Sequence, residues 1–268
     1  MDSNSNNKEA TKFNWYPGHI AKAERELKEK LQVIDIVIEL RDARIPAASA
    51  HQDLSKWAQG KPIITVLNKS DLAAPKKEFI SINSKNPASL KQLIKEIEKL
   101  SQPILDKYKS KGIIGRPTRV MVVGYPNVGK SSLINKLAQK KKAKVSDKAG
   151  VTRQQQWIDA KSKLNIKLLD TPGIIPPKFY SDDQALKLAL CNCLGDNAFD
   201  HLIIAREGMG LIKEAVEEHY QLEFGNDPVQ ALAEKKNLKQ NGELDLGRAA
   251  DLFLKDFREA KIGKFCLD

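Results

Sequence analysis

The chain has 268 residues, 45 of them Lys or Arg and 34 Asp or Glu, for a net charge of +11. At roughly 100 to 200 residues per domain this length suits one sizeable domain and a smaller one, and a hydrophobic content of 41% supplies a real core and excludes a disordered chain. Three cysteines, two of them in Cys191-Asn192-Cys193, make neither a disulfide framework nor a metal quartet, and no apolar run nears the roughly 20 residues needed to span a bilayer, so a soluble cytoplasmic protein is expected.

The first expected element is a helix from His19 to Leu31, with Ile20, Ala23, Leu27 and Leu31 on one face, after a Pro17-Gly18 turn. Val33 to Leu40 and Pro62 to Leu67 read as buried strands, and Glu78 to Ile82 as a short one. Leu90, Leu93, Ile94, Ile97 and Leu100 have helical spacing. Ile113 to Pro117 is a loop before the strand Arg119 to Val123, which leads to a helix from Lys130 to Gln139. Gln156 to Ala160 and Asn165 to Leu169 suit a hairpin or two neighbouring strands. This alternation predicts an α/β domain with a mostly parallel sheet covered on both faces. After Pro176-Pro177 the segments Ala185 to Leu194, Leu211 to Phe224, Val229 to Lys236 and Gly247 to Ala260 read as helices. The expected division is 1–177 and 178–268, the second part all-helical with a small core of its own.

Gly124-Tyr125-Pro126-Asn127-Val128-Gly129-Lys130-Ser131 matches the phosphate-loop pattern G-x-x-x-x-G-K-[ST], between a strand and a helix. Glycines let the backbone wrap closely, the amides of Val128, Gly129 and the residues through Ser132 can face phosphate, and Lys130 reaches the terminal phosphates. Ser131 offers a hydroxyl to Mg²⁺. In Leu168-Leu169-Asp170-Thr171-Pro172-Gly173, Asp170 ends an apolar strand, placed to hold Mg²⁺ through water, and Gly173 can give an amide to the terminal phosphate. Thr152, the only threonine between Lys130 and Asp170, is the candidate to close over Mg²⁺ when a γ-phosphate is bound.

Asn68-Lys69-Ser70-Asp71 directly follows an apolar strand. A carboxylate accepts two parallel donors, which guanine offers and adenine does not, so Asp71 selects guanine. Asn68 braces neighbouring loops, the Lys69 stem can lie over the purine face, and the segment Ser81-Ile82-Asn83-Ser84 brings the amides of Asn83 and Ser84 near the base oxygen. GTP is the nucleotide this set implies.

The base motif precedes the phosphate loop, the reverse of an ordinary GTPase. That order resembles the circularly permuted P-loop GTPases. Trp15-Tyr16-Pro17-Gly18-His19-Ile20-Ala21-Lys22-Ala23 and Asp42-Ala43-Arg44-Ile45-Pro46 resemble the bacterial ribosome biogenesis GTPase A (YlqF) family over essentially the whole chain. The resemblance implies a cytoplasmic GTPase of late large-subunit (50S) assembly that binds the immature particle, its rRNA and ribosomal proteins rather than a membrane, and is monomeric when free. A GTP-regulated RNA- or protein-binding adaptor with negligible turnover is the alternative.

Where many GTPases carry a glutamine after Asp-x-x-Gly, this chain has Ile174, which cannot orient water. His19, in the N-terminal motif of the resemblance, is the candidate replacement; capping or packing the first helix, or touching RNA, are the other roles open to it. Similarity to potassium-activated GTPases gives Asn127 a second reading, as a K⁺ ligand near the β- and γ-phosphates, beside simply folding the loop. Charge is unevenly placed: residues 1–178 carry +17 and residues 179–268 carry −6. Seven basic residues and one acidic residue between Lys136 and Arg153 suit either RNA contact or a solvated loop.

Overall fold

The structure, a computed structural model, describes residues 25–76, 78–83, 86–138, 157–170, 180–195 and 198–268, with the side chains of Pro87 and Asp170 set aside. Helical residues 25–31 (α1) lead into β1 (Ile36–Asp42), α2 (Leu54–Ala58), β2 (Ile63–Asn68), β3 (Ile80–Ser81), α3 (Lys91–Ser110), β4 (Thr118–Val123) and α4 (Lys130–Leu137). The hairpin β5 (Trp157–Asp159) and β6 (Ile166–Asp170) follows, then α5 (Asp182–Leu190), α6 (His201–Leu211), α7 (Lys213–Tyr220), α8 (Pro228–Lys235) and α9 (Leu246–Arg258).

The sheet has the order β3-β2-β1-β4-β6-β5, parallel except for the antiparallel edge strand β5. The strand period of two divides its core between two faces. Ile36, Ile38 and Leu40 of β1 join Val120 and Val122 of β4 and Leu168 of β6 on one face, under α3, α4 and the C-terminal helices. Val37, Met121, Val123 and Leu169 face the other way, toward Leu27 and Leu31 of α1 and Leu54 of α2. Both faces are therefore covered, as the alternation of strands and helices requires. Among the described residues, no helix is long and apolar enough to cross a membrane.

Several boundaries differ from the sequence reading. Val33 is 46% exposed and Ile34 closes the turn after α1, donating its N–H to Leu31. The first strand instead starts at Ile36 and runs into the charged Arg41-Asp42, because those residues pair with Leu67 and Asn68 of β2. α5 stops at Leu190 rather than Leu194, since Asn192 takes a left-handed φ of 59°. The expected helix Leu211 to Phe224 is shortened to α7, and α6 lies before it in a stretch with no expected helix, the two broken at Ile212 with φ −128°. α6 starts at an Asp200 cap whose carboxylate accepts the N–H groups of Leu202 and Ile203. The second part is not purely helical: Lys239–Gln240 and Glu243–Leu244 (β7, β8) pair around Asn241-Gly242, both at positive φ. Nor is its core separate, for Leu188, Ile204, Met209, Leu232 and Phe253 are continuous with the core on one face of the sheet.

Candidate nucleotide-binding site

Among the described residues, the motifs at the site sit at the carboxyl ends of parallel strands. β1 connects outward to β2 and β3, whereas β4 begins the other half of the sheet beside it. Where the winding changes direction, the loops leaving adjacent strands part and open a crevice. The phosphate loop leaves β4 here. Asp170, at the end of β6, pairs in register with Val122 of β4, which brings strand end and loop together. Asn68 ends β2 opposite Asp42 on β1.

The phosphate loop has the backbone its sequence requires. Gly124 has φ 154°, Asn127 φ 56° and Gly129 φ 102°, and α4 begins at Lys130, so its first amides open toward the loop. Gly124 has a second constraint: a Cβ there would run into the Leu40 carbonyl oxygen of β1. The Lys130 ammonium is buried in the concavity, donating to the carbonyls of Tyr125 at 2.7 Å and Gly124 at 3.1 Å. Val128 is fully buried, and Ser131 and Ser132 occupy the first turn of α4.

The base motif is physically joined to this loop. The Asn68 side-chain amide donates to the Val128 carbonyl at 2.7 Å, the bracing role the sequence suggested. A buried bond of this kind contributes on the order of 1 kcal/mol and fixes the distance between the two loops. Lys69 then takes a left-handed φ of 60°, and Leu72 N–H closes the turn on the Lys69 carbonyl at 2.9 Å. The next loop is held against it, as Ile82 N–H donates to Leu67 O at 2.7 Å and Ser70 N–H to Ile82 O at 3.1 Å. Asn83 is placed there, its N–H on the Ser89 hydroxyl at 3.1 Å. Asp71 is half-buried in the turn.

Sequence reasoning did not place three further residues at the site. Asp42 and Arg44 entered the reading only as part of a family resemblance, yet Asp42 is fully buried and its carboxylate accepts from Arg44 Nη2 at 2.7 Å, Arg44 Nε at 2.9 Å and Lys69 Nζ at 2.9 Å. Burial alone would push that carboxyl up; the Lys69 ammonium and Arg44 guanidinium overcome it and hold it well below the usual carboxylate range. The available signal was the charge of Asp42 and Arg44 at and just past the end of a buried strand. The third residue is Asn192, whose backbone carbonyl accepts the Asn127 side-chain amide at 2.9 Å and so ties the phosphate loop to the turn after α5. No sequence spacing foretells that contact. Cys191 and Met209 are buried core residues.

Asp170 closes β6 in register with Val122 of β4, the strand that leads into the phosphate loop and Ser131, and hydroxyl and carboxylate oxygens are the hard ligand types a magnesium ion prefers. His19, Ser84, Thr152, Gly173 and the basic run from residue 139 through 153 lie outside the described residues.

A family model described as 50S ribosome-binding GTPase matches residues 119–235. Ribosome biogenesis GTPase A of Bacillus licheniformis is 38% identical over 271 aligned residues, 93% of this chain and 95% of that protein. Among solved structures, GDP-bound YlqF is similar with a TM-score of 0.65 at 28% identity, over 91% of this chain and 98% of that one. GNP-bound YlqF from T. maritima gives the same score and identity, over 90% and 95%. By this likeness along nearly its whole length, and by a phosphate loop and base motif meeting in one crevice, the chain belongs to the ribosome biogenesis GTPase A family.

Proposed function

We propose that this GTPase hydrolyses GTP in the cytoplasm during late assembly of the large (50S) ribosomal subunit, binding the immature particle, its rRNA and ribosomal proteins in a GTP-dependent way as a monomer. The observation that carries the reading is the Asn68 to Val128 hydrogen bond, which sets a guanine-type base motif at a fixed reach from a phosphate loop. In this reading residues 1–177 form the circularly permuted GTPase domain and residues 178–268 the C-terminal domain.

Asp71 accepts the two guanine donors, the Lys69 stem covers the ring, and the amides of Asn83 and Ser84 approach the base oxygen. The loop amides from Asn127 to Ser132 and the Lys130 ammonium bind phosphate. Ser131, Thr152 and Asp170 hold Mg²⁺, which supplies charge neutralisation to the phosphates when bound. Gly173 gives an amide to the terminal phosphate. Asn127 already spends its amide nitrogen on Asn192, so its oxygen is the atom that meets K⁺. His19 positions the attacking water once the particle holds the N-terminal motif against the pocket, which makes turnover slow in the free protein.

Multiple-turnover GTP hydrolysis with and without large-subunit particles tests this. Particle-stimulated turnover is expected, higher in K⁺ than in Na⁺ at equal ionic strength, and lost in His19→Ala with GTP affinity intact. Ile174 favours a second reading, a GTP-regulated adaptor. Particle binding that depends on GTP without any stimulated turnover would establish the adaptor instead.

A further inference from the structure

The turn that carries the base motif is held from behind by a residue that belongs neither to the phosphate loop nor to the base motif. Asp42 ends β1 with no exposed surface. Its Oδ1 accepts the Arg44 backbone N–H at 3.1 Å and Arg44 Nε at 2.9 Å; its Oδ2 accepts Arg44 Nη2 at 2.7 Å and Lys69 Nζ at 2.9 Å. Arg44 is itself fixed. Its other donations reach the carbonyls of Arg258 and Cys191, both at 3.4 Å, and its guanidinium carbon lies 5.9 Å from the Phe257 ring centroid. The Asp42 carboxylate therefore has one place to be.

Lys69 has no such rigidity of its own. Its four-carbon stem carries large rotamer freedom, and its side chain is 22% exposed, so its outer part borders solvent while its ammonium is tethered to Asp42. Its backbone already holds a left-handed φ of 60°, which aims the residue away from the direction of β2. A ligand that packs on this stem gains affinity when the stem is ordered beforehand, because the ordering cost is not charged to binding.

We propose that Asp42 is a positioning residue for nucleotide binding: clamped by Arg44, it tethers the Lys69 ammonium and presets the stem against which the purine face packs. The proposal rests on the reading of Asn68 to Asp71 as the base site. Stacking on an aliphatic stem is indifferent to the groups on the purine edge, whereas Asp71 reads that edge. Loss of the tether thus weakens guanine, hypoxanthine and xanthine nucleotides alike, and leaves their ranking unchanged.

The test measures dissociation constants of GDP, inosine diphosphate and xanthosine diphosphate for the full chain, Asp42→Asn, Lys69→Met, the double variant and Asp71→Asn. Each of the first two single variants should lose about tenfold for all three nucleotides, and the double variant should be no weaker than Lys69→Met, since Asp42 acts through Lys69. Losses that multiply in the double variant, or that differ between nucleotides, overturn the proposal. Asp71→Asn separates the two readings: if it shifts preference toward xanthine while the Asp42 and Lys69 losses multiply, the positioning role alone fails. If it leaves the preference unchanged, the base site fails and the positioning role with it. A measurement on the unaltered chain guards against an Asp42→Asn protein that does not fold. Amine acylation followed by mass spectrometry should modify Lys69 about tenfold more slowly than the exposed Lys56, and equal rates overturn the tether.

Discussion

At the scale of single residues, the chemistry divides between groups that face the crevice and groups buried to hold them. In the proposed reading, Asp71 is of the first kind. Changing Asp71 to Asn replaces one acceptor oxygen with a donor that meets the guanine amine, so GTP should bind more weakly and xanthosine triphosphate, which has a carbonyl there, more tightly than in the parent. Competition binding with the two nucleotides measures the swap, and an unchanged GTP preference would take Asp71 out of the pocket. Cys191 and Cys193 are of the second kind. Burial pushes the Cys193 thiol up to about 11, with the Asp42 charge adding to it, and raises Cys191 further against the pull of Arg44. Because the thiolate is the reactive form, both should stay silent toward a thiol reagent at pH 8 in the folded protein, leaving only the partly exposed Cys266. Titration is expected to find one reactive thiol in the native protein and all three in denaturant. Two or three fast thiols at pH 8 without denaturant would mean that the turn after α5 opens readily.

At the scale of elements, what the sequence disclosed depended on whether a signal was local. The phosphate loop, the strands β2 and β4 and the hairpin β5–β6 were legible because motif, apolar run and turn are adjacent in the chain. α6 was not, for it carries two glycines, Gly208 and Gly210, and its place depends on packing. The structure gives Gly208 a reason: a Cβ there would strike Leu190 and lie 3.2 Å from Phe253, so the glycine lets α6 approach α5 and α9. β7–β8 has a local signal, Asn241-Gly242, between the two stretches of helical spacing Val229 to Lys236 and Gly247 to Ala260. The contacts of Asp42 with Lys69 and of Asn127 with Asn192 join residues 27 and 65 positions apart, and no periodicity encodes them. Gly124 shows how an element depends on its neighbour. Gly124→Ala would place a methyl against the Leu40 carbonyl and force a backbone with φ 154°, so either β1 or the loop must shift. The expected cost is about 1 to 3 kcal/mol in unfolding free energy, with nucleotide affinity falling at the same time. Denaturant unfolding and nucleotide titration of the one variant measure both, and an unchanged affinity would show that the loop does not depend on this contact.

At the scale of the whole molecule, the decisive feature is that one core serves both parts of the chain. Phe253 and Leu188 belong to the same buried cluster as Ile38 and Val122. The polar contacts run the same way: Gln184 donates to the Ala48 carbonyl at 3.0 Å, Leu267 N–H to the Arg44 carbonyl at 2.8 Å, and Asn127 to Asn192. Independent domains meet through smaller, more polar surfaces and unfold separately; a shared core removes that freedom. Denaturant should therefore unfold the chain in one transition. Indole fluorescence reports the first part, since Trp15, Trp57 and Trp157 all precede residue 178, while helical circular dichroism draws heavily on α5 to α9. The two midpoints should coincide. GDP at 100 times its dissociation constant should move both upward together, by about 2.7 kcal/mol if it binds only the folded protein. Because the proposed nucleotide site lies at the sheet, a shift confined to fluorescence would reveal a tail that unfolds by itself. A common shift would mean that binding energy released at the phosphate loop is felt as far away as α9.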